Sequence, residues 1–336
     1  MYPIIPLLIL SLISVILFVL WMVHSDMVTI EEVGRPVGLG EGPYWDEESQ
    51  TLYFIDLFNH EIHNYNPKTK EHHSVNVETE GKPVTLVVKV KNEKNKFVIS
   101  VKNHLAVVNW DGISSKPLNP EHLADIESSN ATTRLNDGKC DPSNRLWAGT
   151  MGPLLKGTHD QFEEEKGAFY IIHKNLTVTK QLSKIGISNG LAWSLDKKKM
   201  YFIDSLKRRV DSYDYDDASG VISNEKTVFC LKKNNIKGLP DGMTIDAEGM
   251  LWVAVYGGAC VLRINPNSGE LLHTLKIPSL QTTSVAFGGP NLEDLYVTSA
   301  KVGFTEEMEK QYPFAGHTFR VTGLGVKGTP SLPMQL

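Results

Sequence analysis

One composite pattern of apolar and polar positions is written five times along this chain. A polar residue stands beside a glycine in the first four copies and beside a serine in the fifth, an apolar stretch follows, then a polar turn, then an apolar and aromatic burst of strand length. The copies run from Gly40-Glu41-Gly42-Pro43-Tyr44-Trp45 to Leu52-Tyr53-Phe54-Ile55-Asp56, from Asn136-Asp137-Gly138 to Leu146-Trp147-Ala148, and from Ser188-Asn189-Gly190-Leu191 to Met200-Tyr201-Phe202-Ile203-Asp204. Two more run from Asp241-Gly242-Met243 to Leu251-Trp252-Val253 and from Thr283-Ser284-Val285 to Leu295-Tyr296-Val297. Each reads as a β-hairpin. Starts recur about every forty to fifty residues, and a double gap after Glu41 leaves room for a degenerate copy over Pro83 to Gly112. Further alternating stretches, such as Ala168-Phe169-Tyr170-Ile171 and Cys260-Val261-Leu262-Arg263-Ile264, bring each unit to about four strands.

Four short strands per period of that length predict an all-β fold, a six-bladed β-propeller over residues 28–330, in place of a β-sandwich. An N-terminal hydrophobic helix is expected to precede it. Pro3 to Val23 carries no charge and is long enough to span a bilayer, so residues 1–25 read as a signal peptide or a transmembrane anchor, with Val23-His24-Ser25 as a passable cleavage site. Either case predicts a secreted or single-pass membrane-anchored protein of the secretory pathway, with the propeller lumenal or extracellular and membrane contact through this segment if it is uncleaved.

The composition of the 336-residue chain is globular, 41% hydrophobic and 22% charged, with a net charge of -5. No basic field is available for nucleic acid. Cys140, Cys230 and Cys260 are too few for a disulfide framework and allow at most one bridge. Asn130 and Asn175 stand in N-x-T tripeptides, acceptors of glycan in a secreted chain.

Innermost strands of a propeller line its central channel, so the polar positions opening each phrase, Glu41, Asn136, Asn189 and Asp241, are expected to converge on the axis. Two carboxylates meeting there repel and desolvate at a cost of several kcal/mol unless a cation sits among them. Hard oxygen donors without cysteine or histidine favour one divalent cation, Ca²⁺ by preference, with Mg²⁺, Mn²⁺ or Zn²⁺ able to serve. Such a cation polarises a carbonyl and acidifies water while a nearby carboxylate, for which Asp241 is the candidate, takes a proton.

The phrases Arg134-Leu135-Asn136-Asp137-Gly138-Lys139, Ile187-Ser188-Asn189-Gly190-Leu191-Ala192-Trp193-Ser194, Pro240-Asp241-Gly242-Met243 and Thr322-Gly323-Leu324-Gly325-Val326-Lys327-Gly328 closely resemble the SMP-30/gluconolactonase/luciferin-regenerating enzyme family, the regucalcin-like group. Several motifs agree in order and spacing over about residues 28–330. The resemblance implies a six-bladed propeller, a metal held at Glu41, Asn189 and Asp241, Asp241 as general base, and a sugar-lactone substrate bound by Arg134 and Asn136. It implies a metal-dependent lactone or ester hydrolase, or a calcium-binding protein without turnover. One departure stands out: where regucalcin-like members carry an acidic pair after the equivalent of Gly149-Thr150-Met151, this chain reads Gly152-Pro153-Leu154-Leu155. Leu154 accepts no hydroxyl hydrogen bond, and a lost acceptor costs about 1–3 kcal/mol, so the substrate is expected to be less polar than gluconolactone. The stretch Val285 to Leu292 and the run Lys207 to Asp211 resemble the insect luciferin-regenerating members more than the vertebrate ones.

Three other features point elsewhere. Gly186-Ile187-Ser188-Asn189-Gly190 fits G-x-S-x-G, but a nucleophile elbow needs a strand entering a helix and here another strand follows. Asp211 to Gly220 is acidic yet lacks the glycine and glutamate of an EF-hand and reads as a solvated strand and turn. His60-Glu61-Ile62-His63 and His72-His73 read as surface or edge-strand residues, and Trp45, Trp147, Trp193 and Trp252 as blade packing.

Overall fold

The computed structural model describes residues 28–336 apart from 128, 129, 131, 159 and 160. They form an all-β propeller. Strand β1 (Thr29–Val33) is followed by four antiparallel four-stranded blades. These are β2 to β5 (Gly40–Asp46, Thr51–Asp56, Glu61–Tyr65, His72–Asn76), β6 to β9 (Val87–Lys89, Lys96–Val101, His104–Asn109, Glu121–Asp125), β10 to β13 (Arg134–Cys140, Leu146–Met151, Gly167–Ile172, Val178–Ile185) and β14 to β17 (Ser188–Trp193, Lys199–Asp204, Arg209–Tyr215, Ile222–Cys230). The rest, β18 to β24 (Leu239–Ile245, Leu251–Tyr256, Cys260–Asn265, Glu270–Lys276, Gln281–Gly288, Asp294–Ala300, Thr318–Thr322), joins β1 in one eight-stranded sheet.

This corrects the expectation of a six-bladed propeller with six separate blades. The last two repeats share a sheet because β19 and β22 meet at a single pair, Tyr256 opposite Gln281. The expected N-terminal hydrophobic helix lies outside the described residues. Among those residues the helices are one 3-10 turn at Ser205–Lys207 and α1, Glu306–Gln311, six exposed or half-exposed residues rich in glutamate. The secreted or single-pass membrane-anchored localisation is corrected with it: among the described residues no helix is long and apolar enough to cross a membrane.

The chain ends close the ring, since β1 pairs antiparallel with β24 from Thr29 opposite Thr322 to Val33 opposite Thr318. Such closure pairs the first described strand with the last blade, so that the ring is held by a strand from each end of the described residues. The blades are glued by aromatics: Trp45 stacks on Tyr296 at 5.4 Å and Phe169 on Phe202 at 4.5 Å, and Trp147 packs edge-on against Trp193. A buried aspartate accompanies two of the tryptophans. Asp141 accepts from Trp147 Nε1 at 2.9 Å and Arg145 Nε at 2.7 Å, and Asp246 accepts from Trp252 Nε1 and Arg263 Nε, both at 2.9 Å. Each carboxylate is thereby satisfied inside the core. Under the ring the tail runs as a strap: Ala247 donates to Lys327 O, Met334 donates to Lys89 O, and Gln335 donates to Asn144 O.

Candidate active site

A cavity of about 520 Å³ opens on the axis, and Glu41, Arg134, Asn136, Asn189 and Asp241 all line it. Convergence has a local cause. Every inner strand that carries one of these residues breaks register there: between Glu41 and Tyr44, Leu135 and Gly138, Ser188 and Leu191, and Pro240 and Met243. A β-bulge turns a side chain out of the alternation, here into the channel. The adjoining glycines serve crowding more than unusual dihedrals. A Cβ on Gly190 would lie 2.7 Å from Asp241 O, and one on Gly242 would lie 2.0 Å from Ser284 Oγ, while Gly42 alone of the set has positive φ, 57°.

The polar floor is a connected network. Arg134 Nη1 donates to Leu135 O and to Asn136 Oδ1 at 3.0 and 2.8 Å. Asn136 spends both amide hydrogens on Ser188 O at 2.8 Å and Asn189 Oδ1 at 2.9 Å. Asn189 Nδ2 donates to Ser205 Oγ at 2.8 Å, and Ser205 donates on to Pro240 O at 2.7 Å, beside Asp241. The Asn189 side chain is thus held at both ends, with one lone pair of its oxygen left for a ligand. Asn136 orients Asn189 as much as it offers a contact of its own.

Electrostatics single out the acids. Burial, then the Asp137 carboxylate, push Glu41 up to about 8, against the Gly42 N–H and Arg134. By surface area Glu41 is only half-buried, because it faces the open cavity, yet its carboxyl lies deep enough to lose most of its hydration. Asp241 is held well above the carboxylate range by burial, then by Glu41 and Asp137. Arg134 is pulled down to about 10 by burial. Two desolvated carboxylates and an amide oxygen, with one arginine to balance them, are a donor set that a hard divalent cation fits.

Sequence reasoning missed three participants. Ser205 follows β15 in a 3-10 turn that no pattern announced. Thr283 lines the cavity from the bulge between Thr282 and Val285, without a glycine beside it. Asp137 sits next to Asn136 in the same phrase but belongs, with Lys139, to a second cavity of about 200 Å³; burial raises its carboxyl and lowers the Lys139 ammonium.

Ser188 is fully buried, its hydroxyl has no hydrogen-bond partner, and it packs where a Cβ on Gly149 would strike it. No base addresses it. Asp211 is buried against Arg209 and Thr227 instead of solvated. His63, expected at the surface, is likewise buried: Arg35 N–H donates to His72 Nδ1, His72 Nε2 then faces His63 Nδ1 at 2.8 Å, and His63 Nε2 lies 3.2 Å from Glu61. Asp56, Glu61 and His63 bring ligand atoms within 4.8 Å of one another. The hydrogen-bond chain, however, occupies His63 Nδ1, and Asp56 accepts from Gly38, Leu39, Phe58 and Asn59, so that cluster is bonded as a structural clasp. The three cysteines are free.

Fold and cavity together define a β-propeller protein with an acid-floored axial pocket. The chain belongs to the SMP-30/gluconolactonase/LRE-like family, whose model matches residues 39–301. Regucalcin of Xenopus laevis is 39% identical over 296 residues, 88% of this chain and 94% of the relative. A solved luciferin-regenerating enzyme superposes with a TM-score of 0.86 at 42% identity, over 92% of this chain and all of that one. A calcium-binding protein, regucalcin, from Agrobacterium tumefaciens has a TM-score of 0.78 at 28% identity, over 90% of this chain and 95% of its own. The family supports a lactonase-type hydrolase or a calcium-binding role.

Proposed function

We propose that the protein hydrolyses a lactone or related ester with the help of one divalent cation, Ca²⁺ by preference, with Asp241 as general base. The supporting observation is the meeting of Glu41, Asn189 and Asp241 in one cavity, with both carboxyls pushed up by burial first and then by neighbouring carboxylates, Asp137 acting on Glu41 and Glu41 with Asp137 on Asp241. These three residues would hold the cation, which when bound supplies polarisation of a carbonyl and acidification of water. Asp241, at the cavity floor, takes the proton that water loses as it attacks the carbonyl. Arg134 has its Nη1 hydrogens committed to Leu135 and Asn136, and among the described residues the rest of its guanidinium makes no hydrogen bond; it orients a substrate oxygen. Asn136 and Ser205 hold Asn189 in place. Purified protein with Ca²⁺, Mn²⁺ or Zn²⁺ is expected to hydrolyse members of a lactone and ester panel and to lose that activity to a chelator. No turnover of any member with any metal would sink the reading.

A second reading, calcium binding without turnover, is favoured by the description of the Agrobacterium relative as a calcium-binding protein. Calorimetry showing tight metal binding by a protein that hydrolyses nothing would select it.

A further inference from the structure

The floor of the axial cavity is polar, whereas the two most exposed large side chains that line it are apolar, beside the polar His60, Lys102 and Thr132. Phe58 is 54% exposed and Leu154 is 45% exposed, and both line the cavity, as do Leu57, Met151, Pro153 and Phe162. Large apolar side chains left this open at the mouth of a pocket mark a place where an apolar group is received. Neither is a stray on a loose loop. Phe58 follows β3 in a turn whose backbone N–H is held by Asp56 Oδ1 at 3.3 Å, the same carboxylate that Asn59 Nδ2 grips at 2.7 Å. Leu154 pairs antiparallel with Phe162, and the small hairpin is closed by Leu155 N to Gln161 O at 2.7 Å and Glu163 N to Pro153 O at 2.9 Å. Gly152 makes that hairpin possible, because a Cβ there would lie 2.5 Å from Glu163 O. The two residues come from different blades, the first and the third, and converge on one cavity. At about 520 Å³ the cavity is also of a size that takes a ligand larger than a single small ring.

We infer that the site selects lactones or esters bearing an apolar substituent, an alkyl chain or an aromatic ring, with Phe58 and Leu154 as the specificity-determining residues. The inference rests on the hydrolase reading above for its chemistry. Water oxygen bonds to the carbonyl carbon, the carbonyl carbon to ring oxygen bond breaks, and the proton taken from water ends on the released alkoxide, giving a hydroxy acid. The substituent lies along the rim while the carbonyl reaches the floor.

The test uses γ-lactones carrying methyl, butyl, octyl and phenyl groups, together with gluconolactone, on wild type, Phe58→Ser and Leu154→Asp in the presence of Ca²⁺ or Mn²⁺. In wild type, kcat/KM is expected to rise with chain length and to exceed that for gluconolactone. In each variant the octyl-to-methyl ratio of kcat/KM is expected to fall by about tenfold or more. Both residues are exposed, so unchanged melting curves will show that the fold is intact. A wild type that prefers gluconolactone, or variants that keep the full octyl-to-methyl ratio, would overturn the inference. A parallel measurement separates it from the hydrolase reading: binding of octyl- and methyl-substituted lactams, which are not turned over. Should no lactone be hydrolysed while octyl-lactam binding is strong and lost in both variants, only the hydrolase reading falls; lactam binding without chain-length dependence would count against the rim itself.

Discussion

Replacing Glu41 by glutamine is expected to stabilise the metal-free protein at neutral pH, although it removes a side chain that the site needs. Glu41 has a folded pKa of about 8 against an ordinary 4.5. Between those values the unfolded chain has released the proton while the folded protein keeps it. The unfolded state therefore binds fewer protons, and stability falls as pH rises through the window. At about 1.4 kcal/mol per tenfold change in proton affinity, the upper limit at pH 7.5 is on the order of 4 kcal/mol. Water in the open cavity screens part of this, and Asp241, which Glu41 also pushes up, shares the rest. Glu41→Gln should then recover roughly 1–2 kcal/mol, a rise of about 2–5 °C in Tm. The gain should shrink toward pH 5 and be gone below the ordinary carboxylate range. Calcium should reverse the order, because the ion stabilises only the state that binds it and the variant has lost a charged ligand. Thermal melts of wild type and Glu41→Gln, with chelator and with Ca²⁺ between pH 4 and 8, supply the comparison. A metal-free variant that melts at or below wild type at pH 7.5, or calcium that raises both equally, would refute the reasoning.

Four further outcomes are expected. Asp241→Asn should lower kcat/KM by about a hundredfold or more, while Ser188→Ala, which alters a buried hydroxyl without a partner, should keep most activity; steady-state kinetics on the lactone panel reads both. Ser205→Ala frees Asn189 Nδ2 from its 2.8 Å acceptor and should weaken metal affinity by about tenfold in calorimetry, with the far-UV spectrum unchanged. Met334→Ala empties a fully buried position in the strap that bonds Lys89 and Lys91 and should cost about 2–5 kcal/mol in urea unfolding.

What could be read from the amino-acid sequence, and what could not, follows from which parts of a propeller are repeated. Inner strands crowd at the axis, and the crowding calls for a glycine at Gly138, Gly190 and Gly242, where a Cβ would lie under 3 Å from a neighbour, while Gly42 is required by its positive φ. That demand is local and recurs once per unit, so Glu41, Asn136, Asn189 and Asp241 could be picked out together. Thr283 opens the fifth copy of the pattern but was not counted among the converging residues, because its bulge uses no glycine. The number of separate sheets was out of reach for a different reason: the join of β19 to β22 depends on one residue pair, Tyr256 and Gln281, a tertiary contact with no periodic trace. His63 was misplaced because alternation shows which residues share a face of a strand and not whether that face is covered, here by His72 and Phe54.

The same division separates chemistry from specificity. Positions that converge on the axis are fixed by the repeat, and their donor types can be compared from unit to unit, which is why a divalent cation could be argued from the sequence. The rim is built by turns and by one hairpin that belong to single blades. Phe58 stands in a turn whose order comes from Asp56, and Leu154 in a hairpin whose order comes from backbone pairing with Phe162. Nothing in the other units predicts them. A propeller can therefore keep its floor while exchanging what it admits, and in this chain the two exposed apolar groups above a polar floor place the choice of substrate at the rim.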